Sequence, residues 1–325
     1  MNNAPHVLFL CLSGMDLKKL QYFSAVAECG SFTKAALQLH IAQPALSRQI
    51  ALLEEEFGVK LLLRMGRHVR LTDAGEVLLK YAHEITNSFQ RARDEMQSRA
   101  SKPRGRVIFG APPSVGSVIV PILFERLRSE GSEITLQVRE GNTTFLERSI
   151  VDAEIDIALL GEETTGQWIE GKPLFREDFA LVGHQKLIDR IASHGFEAWS
   201  DIPLFVTRQV SQLWGQITRE STGKVPEILE FDAIHGIKKL TLDGKGVTIT
   251  PICLFSSDIR AGKVGAARVA EFDFSRPLVV AWSSVRPHPR ALETVATILT
   301  EELSALAEDG IFSIPAAAPT VAVLG

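Results

Sequence analysis

The chain has 325 residues, is 45% hydrophobic and 23% charged, and carries a formal net charge of −4; that length suits a small domain followed by a larger one. Its longest early apolar run, VLFLCL at Val7–Leu12, is far short of the roughly 20 residues of a membrane span and lacks the flanks of a secretory signal, so a cytoplasmic protein with no membrane contact is expected. Cys11, Cys29 and Cys253 are widely spaced and odd in number, which argues against a disulfide framework and against a metal site.

The first hundred residues are slightly basic and the remainder is acidic. Within Lys60–Thr72, Lys60, Arg64, Arg67 and Arg70 stand with His68 and no acid, a run whose meaning depends on where it sits.

Residues Leu17–Gly30 read as a helix, with Leu20, Phe23 and Ala27 on one face and Gly30 as terminator. Ser31 can cap a second helix, FTKAALQLH, in which Ala35 and Ala36 permit close approach of a neighbour. A third helix follows in IAQPALSRQIALLEEEFG, Ile41–Gly58, where Pro44 suits the first turn. Leu46, Ile50, Leu53 and Phe57 form its core stripe, so Pro44, Ser47, Arg48 and Ala51 point outward. That outer face is short-chained except for Arg48, as a helix entering a major groove requires, and Glu54, Glu55 and Glu56 lie at the far end, clear of phosphates. Gly66 in RMGRH can close a hairpin, giving a wing that carries Arg64, Arg67, His68 and Arg70. Three helices and a basic wing make a winged helix-turn-helix, whose candidate contacts to double-stranded DNA are Ser31, Thr33, Gln43, Pro44, Ser47, Arg48, Arg64, Arg67, His68 and Arg70.

At this point the stretch LKKLQYFSAVAECGSFTKAALQLHIAQPALSRQIALLEEEFGVKLLLRMGRHVRLTDAGE resembles the DNA-binding domain of the LysR-type transcriptional regulators, nearly without gaps from Met15 to about Glu76. Two positions depart from the family pattern. Ala42 stands where a serine commonly precedes Gln-Pro, removing a side-chain cap, and Leu62 replaces a usual phenylalanine. Because the resemblance begins at Met15, residues 1–14 are expected to be an extension, either a disordered arm or the product of an alternative start.

From Thr72 the segment TDAGEVLLKYAHEITNSFQRARDEMQSR reads as one long helix, capped by Thr72 with Asp73 and Glu76 in its first turn. Leu78, Ile85 and Ala92, and Ala82, Phe89 and Met96, repeat every seven residues, a coiled-coil seam. A dimer seam directly after a recognition unit matches the two half-sites of an operator, and the resemblance implies dimerisation here. The expected division is therefore 15–72 for DNA binding, 73–100 for the linker helix and SKPRGR, 101–106, as hinge.

Beyond Arg106, RVIFGA, ITLQVRE, IDIALLG, FALVG, PLFVT, VTITP and PLVVAWS read as strands alternating with helices, an α/β architecture with mostly parallel sheets. No dinucleotide fingerprint and no Walker loop occurs, and no cofactor or metal is expected. The resemblance implies an effector-binding domain over 107–310 of periplasmic-binding-protein type, with two α/β subdomains: I at about 107–181 and 284–310, II at about 182–283, the chain crossing near Val182 and Ser283. Ligands in such sheets bind beyond the carboxyl ends of strands, at helix N-termini. The candidates are Ser114 and Val115 (with Gly116), Asn142, Thr143 and Thr144, Thr207 and Arg208, and Gly246, Val247 and Thr250. Hydroxyls with one arginine fit a small carboxylate better than a bulky apolar compound. RPHPRALETVATILTEELSAL reads as a last helix, and the Ala/Pro-rich 311–325 as a flexible tail.

The expectation is a DNA-binding regulator acting as a homo-oligomer, which the resemblance implies to be a dimer of dimers, responding to a small-molecule effector and able to meet RNA polymerase. An enzyme with a DNA-targeting front end lacks support: His184, His235 and His288 are isolated and no nucleophile elbow occurs, so no catalytic residue is assigned. A redox sensor would rest on Cys253 alone in the larger domain.

Overall fold

The computed structural model describes residues 16–66, 68–98, 102–161, 166–194, 199, 201–218, 226–270, 274–313 and 318–321. The extension 1–14 and Arg67 lie outside the described residues. The chain divides near Met96 into two compact units.

The first unit begins with α1 (Leu17–Cys29), α2 (Phe32–Gln38) and α3 (Gln43–Phe57), then β1 (Leu62–Met65), β2 (His68–Leu71) and α4 (Asp73–Ser98). Asp16 accepts from the Lys19 amide to start α1, and Gly30 ends it at φ 58°. Ser31 caps α2 as its sequence predicts. The turn into α3 holds His40 at φ 54°, a region L-residues seldom enter; there the His40 and Ile41 amides bond back to the Leu37 and Ala36 carbonyls at 3.2 and 3.0 Å. α3 starts at Ala42 without a side-chain cap and ends at Gly58, φ 66°. Leu20, Phe23, Val26, Ala35, Leu46, Ile50, Leu53 and Ala82 build one core. Phe57 does not join it: it is exposed, because α3 is in its last turn there and has left the packing of α1 and α2 behind. Ala27 is only half-buried, Val26 taking the inner position instead.

β1 and β2 pair antiparallel with Met65 opposite His68, and Gly66 turns between them at φ 66°. Thr72 caps α4 by accepting from the Gly75 amide at 3.0 Å and holds the Lys60 carbonyl at 2.7 Å. A Cβ at Gly75 would stand 2.1 Å from the Leu61 carbonyl oxygen, so only glycine lets α4 lie this close to the wing's root. The seven-residue seam of α4 splits. Ala82 is buried and Leu78 packs against the first unit's own core, whereas Ile85, Phe89, Ala92 and Met96 remain exposed, in line with Val77 and Tyr81.

The second unit begins with β3 (Arg104–Ala111), α5 (Pro113–Ser129), β4 (Glu133–Glu140), α6 (Thr143–Val151) and β5 (Ile157–Leu160). The long β6 (Ile169–Gly183) precedes α7 (Gln185–His194), β7 (Leu204–Val206), α8 (Arg208–Ile217), β8 (Ile228–Glu230), α9 (Ile234–Leu242) and β9 (Val247–Pro251). A 3₁₀ turn (Ile252–Phe255), α10 (Ser256–Arg260), β10 (Gly265–Val269), β11 (Ser275–Ser283), α11 (Arg290–Glu308) and β12 (Thr320–Val321) complete it. Strand residues alternate between two buried faces. Val107, Phe109 and Ala111 face α5 and α11, while Ile108, Ala158 and Leu160 face Leu146 and Ile150 of α6. Further on, Phe179, Leu181, Val247 and Ile249 pack with Ile188, Ile191, Val210 and Trp214, and Ala180 and Val182 with Leu254 and Phe255.

The strand order is β4-β3-β5-β11-β6-β9-β7-β8, with β10 paired to β6 and to β12. The sheet is mixed rather than mostly parallel, because β6 and β11 run against their neighbours. β6 carries the chain from one subdomain to the other, and β11 begins where it has returned. β6 pairs with β11 up to Asp178, then with β9 from Phe179 onward. The passages therefore lie at Asp178–Phe179 and just before Ser275, earlier than the expected Val182 and Ser283, since the extended strands run on past the crossing. Arg104–Arg106, expected in the hinge, already pair with Glu133–Thr135, and Ser101 lies outside the described residues. The tail's start is not flexible: Ile311 and Phe312 are core, the Phe312 ring lies 4.4 Å from that of Phe175, and Thr320–Val321 pair with β10.

Candidate nucleic-acid face and ligand cleft

In the first unit the buried stripe of α3 sets what faces outward. With Leu46, Ile50 and Leu53 inside, Gln43, Pro44, Arg48 and Ala51 are exposed and Ser47 is half-exposed. Arg48 has no carboxylate partner among the described residues, so its charge is available to a phosphate or a guanine edge. Arg64 of β1 reaches back to α3: its Nη2 donates to Ser47 Oγ at 2.6 Å and its guanidinium lies 4.7 Å from the centre of the Phe32 ring. The wing is thus tied to the recognition helix through two of the expected contact residues. Thr33, His68 and Arg70 are exposed, and Ser31 is half-exposed with its hydroxyl engaged at the Lys34 amide.

The glutamates at the far end of α3 do more than stay clear of DNA. Glu54 Oε2 accepts from Lys60 Nζ at 2.6 Å, and its Oε1 accepts from the amides of Leu61 and Leu62 at 3.0 and 3.2 Å. Burial alone would raise its pKa, but the Lys60 ammonium and the two amides outweigh burial and hold the carboxyl below its usual range. Glu56 pairs with Lys19 of α1 at 3.6 Å. These carboxylates fix the base of the wing and the packing of α1.

In the second unit a cleft of about 630 Å³ opens beyond the carboxyl ends of β3 and β4 and the start of α8 and α9, a size suited to a small ligand. Of the expected residues, Ser114, Asn142, Thr143, Thr144, Thr207, Arg208 and Thr250 line it. Val115, Gly246 and Val247 do not. Val115 and Val247 are core side chains, and a Cβ at Gly246 would lie 2.4 Å from the Pro203 carbonyl oxygen, so that glycine serves the approach of β9 to β7. Several lining groups are already engaged. Asn142 Oδ1 caps α6 by accepting from the Phe145 amide at 2.9 Å, Thr143 Oγ1 accepts from the Gly161 amide at 3.2 Å, and Arg208 pairs with Glu230 at 3.3 Å while remaining largely exposed.

Sequence reasoning missed other lining residues: Glu140, Asp232, Thr248 and Arg276. Arg276 is paired in register with Glu177 across β11 and β6, and its Nε and Nη2 both donate to Glu177 Oε1, at 2.9 and 2.6 Å. Glu177 is fully buried. A signal for this pair was present, because REDFALVG and SRPLVVAWS each place charges at the foot of an apolar strand. Cys253 is buried beside the pair; burial and the neighbouring Glu177 push its thiol pKa well above the usual value, the opposite of a reactive thiolate. Among the described residues no cluster of metal-ligating side chains occurs, and no helix is long and apolar enough to cross a membrane.

A family model described as the bacterial regulatory helix-turn-helix protein of the lysR family matches residues 17–76, and one for the LysR substrate binding domain matches residues 100–304. The nitrogen assimilation regulatory protein nac of Klebsiella aerogenes is 30% identical over 299 residues, which cover 89% of this chain and 97% of that protein. ArgP from Mycobacterium tuberculosis is similar in structure at a TM-score of 0.66 with 21% identity, over 89% of this chain and 98% of that one. Full-length CbnR complexed with its target DNA gives a TM-score of 0.62 with 20% identity, over 88% and 99%. At these identities the two structures speak for the fold.

Proposed function

The chain belongs to the LysR family of bacterial DNA-binding transcriptional regulators, and from that premise we propose that it binds a double-stranded operator as a homo-oligomer and responds to a small carboxylate. The observation that carries the DNA half is the face of α3 and the wing: Arg48 exposed and without a partner among the described residues, with Arg64 tied to Ser47 beside it. Ser31, Thr33, Gln43, Pro44, Ser47, Arg48, Arg64, Arg67, His68 and Arg70 are the proposed contacts. Arg67 lies outside the described residues and enters on sequence alone.

The exposed line of Ile85, Phe89 and Met96 on α4 supports pairing of two chains through this helix. The proposed oligomer is a dimer of dimers working in the cytoplasm without a cofactor, with RNA polymerase as a further partner. The cleft supports the carboxylate reading: it holds the N-terminal ends of α5, α6, α8 and α9, with the Ser114, Thr144, Thr207 and Thr250 side chains among them. An effector acts by favouring one arrangement of the oligomer over another. Catalysis has no support in the comparisons, whose family is one of regulators. Redox sensing through Cys253 is disfavoured by its burial and raised pKa.

The test is fluorescence anisotropy of the full-length protein with fragments of its own promoter neighbourhood at low ionic strength. Binding that collapses in Arg48→Ala supports the reading; indifference of the wild-type protein to every fragment refutes it.

A further inference from the structure

Arg276 is the most deeply seated cation on the cleft, with its side chain 11% exposed. Its Nε and Nη2 are spent on one oxygen of Glu177, and Nη1 has no hydrogen-bond partner among the described residues. The surroundings leave room for that guanidinium by design of the backbone. A Cβ at Gly161 would lie 2.8 Å from Arg276 Nε and Nη1, and the guanidinium carbon lies 5.3 Å from the centre of the Phe179 ring. A second observation points to a ligand: Thr248 lines the same cleft, is 1% exposed, and its Oγ1 is buried without a hydrogen-bond partner among the described residues. Unpartnered polar atoms in a buried site are costly unless something else completes them.

We propose that Arg276 Nη1 is the anchor for the effector's carboxylate and that Glu177 is the positioning residue that holds and charge-balances Arg276. This rests on the carboxylate reading above and moves its anchor from Arg208, which is exposed and paired with Glu230, to the floor of the cleft. The pairing also sets the ligand's form. Arg276 sits on β11 opposite Glu177 and Thr248 on β9 opposite Val182, so the two stand on strands flanking β6 from either side. A carboxylate on Arg276 leaves Thr248 Oγ1 for a second group, so the ligand class is a carboxylate that also carries a second hydrogen-bonding group.

Charge fixes how Glu177 acts. Arg276 is the charged group acting on it, from β11, and the neighbouring titratable group is the Cys253 thiol of the 3₁₀ turn, which stays neutral. A ligand carboxylate on Nη1 adds a second negative charge to one guanidinium. Burial already raises the Glu177 pKa, against the lowering effect of Arg276, so the arriving anion drives proton uptake there. Binding is then tighter at lower pH.

The experiment is calorimetric titration of the full-length protein with succinate, glutarate, adipate and benzoate, each beside its neutral amide, from pH 6 to 8. At least one dicarboxylate binds the wild type, its amide does not, and affinity rises as pH falls. Arg276→Lys and the double variant Arg276→Gln/Glu177→Gln, which leaves no buried charge unpaired, lose about 10- to 100-fold, the span of a charged hydrogen bond, with unchanged circular dichroism. Glu177→Gln binds the same dicarboxylate more tightly, about 3- to 10-fold, with a flat pH profile. Equal affinity in wild type and both Arg276 variants overturns the anchor while leaving the carboxylate reading standing. A pH slope that survives in Glu177→Gln overturns the positioning role. If no carboxylate binds the wild type, that reading falls and takes this one with it.

Discussion

Removing the Glu54 carboxylate tests why acids crowd the end of the recognition helix. In Glu54→Ala the Leu61 and Leu62 amides lose their acceptor, and both residues are almost fully buried. A buried amide left without a partner costs about 1–3 kcal/mol. The Lys60 pair adds at most about 1 kcal/mol, because Lys60 is 75% exposed. With two amides affected, the expected loss is roughly 2–7 kcal/mol in the first unit, a large share of an ordinary domain's stability. Glu54→Gln keeps an acceptor and loses about 1 kcal/mol. The pH dependence has a definite sign. The folded pKa lies below the usual carboxyl value, so the stabilisation is fully present above the unfolded pKa and fades as pH falls through the folded one. Glu54→Gln therefore flattens the acid limb of stability and leaves the neutral range shallowly changed. Hydrogen exchange of the segment around Leu61–Met65, with melting of the first unit followed in parallel, reads the effect. Wild-type protection and melting in Glu54→Ala would refute the reasoning.

Arg48→Ala lowers operator affinity about 10- to 100-fold and flattens its salt dependence, read by anisotropy across a potassium chloride series; an unaltered slope and affinity would remove Arg48 from the interface. Gly75→Ala drives a Cβ into the Leu61 carbonyl and destabilises the first unit by about 1–3 kcal/mol, read as an earlier melting transition. Ile85→Asp on the exposed line of α4 weakens dimerisation at least about tenfold in sedimentation velocity, and a wild-type profile would move the contact elsewhere. Cys253 in the native protein resists a thiol reagent at neutral pH, reacting only after denaturation; rapid labelling of the folded chain would revive the redox reading.

The first unit was legible because its helices carry their own punctuation. Asp16, Ser31 and Thr72 mark beginnings, Gly30 and Gly58 mark ends, and the 3.6-residue spacing of Leu46, Ile50 and Leu53 marks the inside. Phe57 escaped because spacing does not say where a helix outruns its neighbours. The roles of Glu54 and Glu56 escaped because they depend on Leu61 and Lys19, which only folding brings near. In the second unit the apolar strands announced themselves, whereas IEGKPLFRED, with a glycine, a proline and several charges, carries no strand pattern. It is strand because β11 lies beside it, with a register shift opposite Pro173 that absorbs the missing amide. The cleft loops were recognisable from turn residues following strands, but hydroxyls look alike whether they cap a helix or await a ligand. Asn142 is committed to the former, and the Thr143 hydroxyl is engaged by the Gly161 amide. Arg276 and Glu177 meet only through the pairing of β6 with β11, a contact across 99 positions of sequence.

One uninterrupted strand, β6, joins the halves of the second unit, and the Phe179 amide donates to the Phe274 carbonyl at 3.0 Å beside the crossing. At Asp178–Phe179 that strand exchanges one ladder partner, β11, for another, β9. A change of angle between the halves would therefore have to be taken up by the backbone torsions of those two residues, next to the buried Glu177.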